Sequence, residues 1–169
     1  IGQTAVDGLI WCNNDVHGSI VVVPGVLGEG KLAMEVISSK CEIQFAQQQQ
    51  KVKATIKLNV EVGVSEQADF TDLTQPNKIT QLERLLDQTI AAQIEGTMAK
   101  SEELKCDILG IGEACFRQEP AIWKRYKEEK YPYGFDMHVE VSSHIVSLGN
   151  VKPPQAIKKE GGELVAPQS

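Results

Sequence analysis

The stretch KVKATIKLNVEV, Lys51 to Val62, alternates from end to end: Val52, Ala54, Ile56, Leu58, Val60 and Val62 are separated by Lys51, Lys53, Thr55, Lys57, Asn59 and Glu61. Successive side chains of a strand point to opposite faces, so a sustained period of two means one buried face and one wetted face. That pattern belongs to a long strand of an antiparallel-type sheet, packed on one side and solvated on the other.

Neighbouring segments extend the sheet. Leu32, Met34 and Val36 alternate, then the parity switches at Ile37 and continues through Cys41, Ile43 and Phe45. A change of parity inside one strand predicts a bulge or bend near Ser38 and Ser39. The Gln47–Gln50 tract reads as the hairpin connection to the next strand. SIVVVPG, from Ser19, is a short strand closed by Pro24-Gly25. FDMHVEVSSHI, from Phe135, places Phe135, Met137, Val139, Val141 and Ile145 on one side.

Between the second and third long strands the period changes. Pro76 suits a first helical position, with Thr74 or Gln75 as the cap. Ile79, Leu82, Leu86, Ile90, Ile94 and Met98 then recur every three or four residues, one apolar stripe along a long helix. The stripe needs a partner, and the apolar face of the sheet supplies one. Pro120 opens a second, short helix carrying Ile122, Trp123 and Tyr126. Past Gly149 the chain is rich in Pro and Gly without periodicity and is expected to be a loose tail. The reading is an α+β fold: an antiparallel β-sheet with a long amphipathic helix and shorter helices packed on one face. Residues 1–150 form the domain and 151–169 the tail.

A chain of 169 residues, 41% hydrophobic and 24% charged, is ordinary for a globular protein and has no apolar run of membrane-spanning length. A net charge of −6 argues against nucleic acid, whose phosphates call for a concentrated basic surface. The chain opens on Ile1 without an initiator Met or signal peptide and is read as a fragment or processed form, so an export signal or lipid anchor can lie outside it. Cys12, Cys41, Cys106 and Cys115 form no C-x-x-C pair, which leaves a structural zinc site unsupported. Their even number permits disulfides, and the redox compartment stays open.

The motif that bears on function is CDILGIGEACFRQEPAIW, Cys106 to Trp123. A dinucleotide loop needs G-x-G-x-x-G after a strand and opening a helix. Here Cys115 stands at the third glycine position, and the residues before Gly110 are helical in pattern. Leu104, Ile108, Ile111 and Cys115 read instead as a continued apolar stripe, with Asp107 placed to cap a helix. Gly110 and Gly112 then permit close helix packing and a bend.

Other polar groupings have plain readings. His138, Glu140 and His144 share the outward face of the last strand, where an H-x-E pair can chelate a metal, but a wetted strand face explains them without one. WKRYKEEKYPY, from Trp123, interleaves aromatics with Lys124, Arg125, Lys127 and Lys130. It suits a short helix with its lysines in water, or a surface for a membrane or a partner. His17 sits beside a glycine with no evident partner. Glu102, Glu103, Asp107 and Glu113 lie close in sequence, but a hydrolase needs two carboxylates at fixed separation in a cleft. No nucleophile elbow and no family cysteine signature is present.

The Cys106–Trp123 stretch resembles the D-[IL]-[FL]-G-[FI]-G-E-A-x-x-R-x-x-P-x-x-W signature of the Ger(x)C family, the C subunits of bacterial spore germinant receptors. GLIWCNNDVHGSIVVVP, EVISSKCEI, LTQPNKITQLERLLDQTIAAQIE and DMHVEVSSHIVSLGN resemble further family segments in the same order, and the likeness covers about residues 3 to 150. Asp107, Gly110, Gly112, Glu113, Arg117, Pro120 and Trp123 match the motif and are its structural or interaction candidates. Gln75 departs from the acidic residue usual before the helix-opening proline, and the last strand lacks the basic residues common at its end.

The resemblance implies a lipid-anchored subunit on the extracytoplasmic face of the spore inner membrane. It would work beside two membrane-embedded receptor subunits, with no enzymatic activity, catalytic residue, cofactor or metal. Two alternatives stand beside it: a module that itself binds a small-molecule germinant, and an enzyme with a site not yet recognised.

Overall fold

The computed structural model describes residues 3–13, 16, 18–24, 31–48, 51–67, 75–126 and 135–148, with the side chains of 3–7, 125 and 126 left aside. Among the described residues eight elements follow one another: α1 (Gln3–Cys12), β1 (Ile20–Pro24), β2 (Lys31–Gln48), β3 (Lys51–Gln67), α2 (Pro76–Leu104), α3 (Ile111–Gln118), α4 (Pro120–Tyr126) and β4 (Phe135–Ser147). His17, Thr74, Gln49, Gln50, residues 127–134, Gly149 and the expected tail 151–169 lie outside the described residues.

The alternating segments form one four-stranded sheet in the order β1-β2-β3-β4. β2 and β3 pair antiparallel from Leu32↔Gln67 to Gln48↔Lys51, so two of the four tract glutamines belong to the strand itself. Val36 faces Val62 and Ser38 faces Glu61, which leaves Ile37 as the extra residue of a bulge. The bulge keeps Leu32, Met34 and Val36 on the same buried face as Cys41 despite their opposite parity. A second irregularity, at Ala33/Met34, leaves Ser65 of β3 without a cross-strand partner, and its hydroxyl donates to the Ala33 carbonyl at 3.0 Å.

β4 corrects the expectation of an antiparallel sheet. It pairs parallel to β3, from Val52↔Phe135 to Gly63↔Ser147, so the sheet is mixed. The physical reason is the connection. Parallel neighbours require a long crossover, usually helical, and the 29-residue α2 lies between β3 and β4. A helix of that length spans about 43 Å, enough to carry the chain back along the sheet to the end where β3 began.

The core lies between the inward sheet face and α2. Leu82, Leu86, Ile90 and Ile94 of the stripe are fully buried, as are Met34, Ala54, Ile56 and Val62 beneath them. Each Leu, Ile, Val or Met among them contributes about 1.5–3 kcal/mol by leaving water. Met98 packs half-buried at the margin, and Phe45 and Phe135 meet across β3 with ring centroids 5.8 Å apart. Gln75 stands at the N-cap of α2 and makes no side-chain cap hydrogen bond.

α1 has no counterpart among the sequence-predicted elements. It packs on α2, where Gly8 is buried so tightly that an added Cβ would collide with Thr97 and lie 2.6 Å from the Gln93 carbonyl oxygen. Trp11, 3% exposed, donates its indole N–H to Gln93 Oε1 at 2.7 Å.

Candidate functional site

The Cys106–Trp123 motif forms a corner. α2 ends in a Schellman closure: the Lys105 N–H donates to the Glu102 carbonyl at 3.2 Å and the Cys106 N–H to the Ser101 carbonyl at 3.0 Å. Lys105 itself takes the left-handed conformation, φ +53°. A turn follows in which the Gly110 N–H donates to the Asp107 carbonyl at 3.3 Å, and Gly110 is left-handed at φ +67°. An added Cβ there would meet nothing within 4 Å, so the position asks for glycine through its backbone and not for space.

The expected unbroken stripe from Leu104 to Cys115 is therefore corrected. Leu104 is 47% exposed at the end of α2, and the left-handed Lys105 and Gly110 break the helix before Ile111 and Cys115 become buried on α3. The residues ahead of Gly110 form a turn and not the helix their pattern suggests.

Asp107 caps α3 with both carboxylate oxygens: Oδ1 accepts from the Ile111 N–H at 2.8 Å and Oδ2 from the Gly112 N–H at 2.7 Å. Those are the first amides of the helix, so a carboxylate already occupies the place where a phosphate would dock. Glu113 in the first turn and Arg117 in the last suit the helix dipole. They approach to 3.8 Å on an exposed face, a pair worth only a few tenths of a kcal/mol. The Glu119 N–H closes α3 on the Cys115 carbonyl at 2.8 Å, Pro120 starts α4, and the Trp123 ring stands edge-on to Phe116 at 6.3 Å. Gly112 is buried where α3 meets the core.

Two hollows flank this corner. A cleft of about 580 Å³ opens between α1, β2 and α3, lined by Cys12, Cys41, Gly110, Glu113 and Arg117 among others, and mostly polar. A smaller one of about 340 Å³ lies between the end of α2, the turn and β4, and it is this one that Asp107 lines. Asp107 and Glu113 thus belong to different hollows and cannot act as a carboxylate pair.

The other polar groupings are dispersed. His138 lies 3.4 Å from Asp136, Glu140 lies 3.6 Å from Lys57, and His144 lies 3.9 Å from Glu83. Among the described residues no three His, Cys, Asp or Glu side chains converge as a metal site, and no helix is long and apolar enough to cross a membrane. Of the basic-aromatic segment, Lys124 is exposed and Trp123 half-buried.

Sequence reasoning did not anticipate that Cys12 and Cys41 line the same larger cleft, Cys12 packed against the core cluster that holds Cys41. The inward parity of Cys41 is visible in sequence, but the helix that brings Cys12 to it is not.

Residues 1–149 match the family described as spore germination B3/GerAC like, C-terminal. The chain belongs to that family. This GerAC-like domain is also similar in fold to a solved structure titled as the GerBC protein, with a TM-score of 0.71 and 17% identity over 86% of the chain. It spans 46% of that structure's length, a little under half. No curated protein sequence matches the GerAC-like chain.

Proposed function

We propose that this GerAC-like domain is the C-terminal part of the C subunit of a spore nutrient germinant receptor, and that it serves receptor assembly or signalling without catalysing a reaction. The observation that carries the reading is the family match across residues 1–149. The corner geometry supports it, because the motif residues are engaged in building the corner: Asp107 on two amides, Gly110 in a left-handed turn, the Trp123 ring against Phe116. Its partners would be the two membrane-embedded receptor subunits, and its place the extracytoplasmic face of the spore inner membrane, reached through a lipid anchor outside this chain. Residues 1–150 would act as one domain, with 151–169 as its tail.

The test removes residues 1–150 from the subunit in spores that retain the rest of the receptor. Loss of the nutrient response, with the response to a receptor-independent trigger intact, is the expected result. A normal nutrient response would exclude a necessary role for the domain.

A second reading is favoured by one observation, the cleft between α1, β2 and α3, whose size falls in the range of small-ligand sites. On that reading the domain itself holds an amino acid or sugar. Its mostly polar lining and open mouth fit such a ligand less well than an enclosed apolar pocket would. Calorimetric titration of the domain with amino acids and sugars separates the two: saturable heat at micromolar concentration supports ligand binding, and its absence supports the assembly role.

A further inference from the structure

Cys12 ends α1 and Cys41 sits on the inward face of β2, far apart in sequence but packed in the same core cluster. Both line the open cleft, so a small reagent can reach the pair from solvent. The helix that presents Cys12 is held independently, by the close packing of Gly8 on Thr97 and by the Trp11–Gln93 hydrogen bond. Cys41 is fixed by β2, where it faces Leu58. Two thiols lining one solvent-open cleft, on elements held by other interactions, form a preorganised dithiol.

We propose that Cys12 and Cys41 are a redox-active pair that closes to an intramolecular disulfide, tying the end of α1 to β2. The oxidant is a small disulfide entering through the cleft. The Cys41 thiolate attacks one donor sulfur, forming a mixed disulfide and expelling one donor thiolate, which takes up a proton. Cys12 then loses its proton to solvent and attacks the Cys41 sulfur, expelling the second donor thiolate. Two protein thiols and one donor disulfide give one protein disulfide and two donor thiols. The order of attack follows from their influence on each other: the Cys12 S–H beside it holds the Cys41 thiol below its usual range, while Cys41 and burial make Cys12 keep its proton. The remaining cysteines are placed differently. Cys106 is exposed on the turn after α2, and Cys115 is fully buried with its thiol pushed up to about 11 by burial.

Closure would join a loop of about 30 residues containing β1 and the first half of β2. A loop of that length raises the thermal midpoint by about 5–15 °C, through the entropy removed from the unfolded chain. It also fixes the wall of the cleft that α1 contributes. The inference stands apart from the receptor reading, since it concerns only two side chains and a disulfide donor.

The full 169-residue chain is incubated natively with oxidised glutathione, blocked with iodoacetamide, digested without reduction and mapped by mass spectrometry. The expected product is the Cys12 peptide joined to the Cys41 peptide, with the thermal midpoint raised and the rise reversed by dithiothreitol. Cys12→Ser, changed at a half-buried position, is expected to show no midpoint shift under the same oxidation. Recovery of Cys12 and Cys41 as separate alkylated or glutathionylated peptides overturns the proposal. So does a joined peptide without a rise in midpoint, or an equal rise in Cys12→Ser.

Discussion

Two left-handed residues frame the motif corner, and they differ in what they cost. Gly110, at φ +67°, adopts a conformation glycine tolerates and other residues resist. Gly110→Ala is expected to destabilise the fold by about 1–2 kcal/mol through backbone strain alone, since the methyl group would meet no neighbour. Lys105, at φ +53°, already bears that strain at the Schellman position where glycine is the usual occupant. Lys105→Gly is expected to stabilise by about 0.5–1 kcal/mol. Urea unfolding of the two variants checks both, and a destabilised Lys105→Gly would contradict the argument. At this scale much was legible: Asp107 as a cap follows from its type and place, whereas the turn behind it does not. Leu104, Ile108 and Ile111 are apolar at helical spacing, and only the hydrogen bonds show that α2 closes first.

Among the elements, α2 does more than cover the core. β4 lies at the end of the sheet order, and a terminal strand presents unpaired backbone groups. α2 answers two of them with acidic side chains: Asp87 Oδ1 accepts from the Ser143 N–H at 2.8 Å and Glu83 Oε1 from the Ile145 N–H at 3.1 Å. The Ser143 hydroxyl donates to the Glu83 carbonyl at 3.1 Å and completes the seam. Asp87→Ala leaves a partly buried amide without that acceptor and is expected to cost about 1.5–3 kcal/mol, the range for hydrogen bonds to charged groups. Asp87→Asn keeps an acceptor oxygen and should recover at least half of the loss in the same unfolding measurement. Equal losses in the two variants would assign the effect to packing. The stripe from Leu82 to Ile94 was readable because burial repeats locally at the helical period. The direction of β4 was not, because Phe135, Met137 and Val139 alternate identically beside a parallel or an antiparallel neighbour. α1 was hidden for another reason: it packs on α2 partly through Gly8, which has no side chain to show in an apolar period.

Across the molecule, protection is expected to follow position in the sheet. β3 is paired on both sides and buried beneath α2, so the amides of Ile56, Leu58 and Val60 should exchange with solvent only through global unfolding. β1 is five residues long and paired on one side, and the amides it commits to β2 should exchange at least tenfold faster. Native-state hydrogen exchange read by NMR tests the ranking, and equal protection of β1 and β3 would contradict it. The candidate site shows the same division between local and distant information. Its motif residues lie within eighteen positions and could be recognised, whereas the larger cleft needs residues 12, 41 and 113 together. That meeting exists only once α1 lies on α2 and β2 runs past its end.

Ile37 gives β2 a spare residue. Shortening the chain there would restore regular pairing, because Val36 and Ser38 already face consecutive positions of β3. Loss of Lys40 is absorbed the same way, because Ile37, Ser38 and Ser39 can slide one position along β3 while Cys41 keeps its partner Leu58. Removing Glu42 instead turns Ile43 and Phe45 outward or, if the bulge takes up the loss, turns Cys41 outward and Lys40 inward. Single-residue deletions should therefore differ along one strand: loss of Ile37 or Lys40 leaves the thermal midpoint nearly unchanged, and loss of Glu42 lowers it sharply, as circular dichroism can show. Length variation in this strand would have one harmless address, from Ile37 to Lys40.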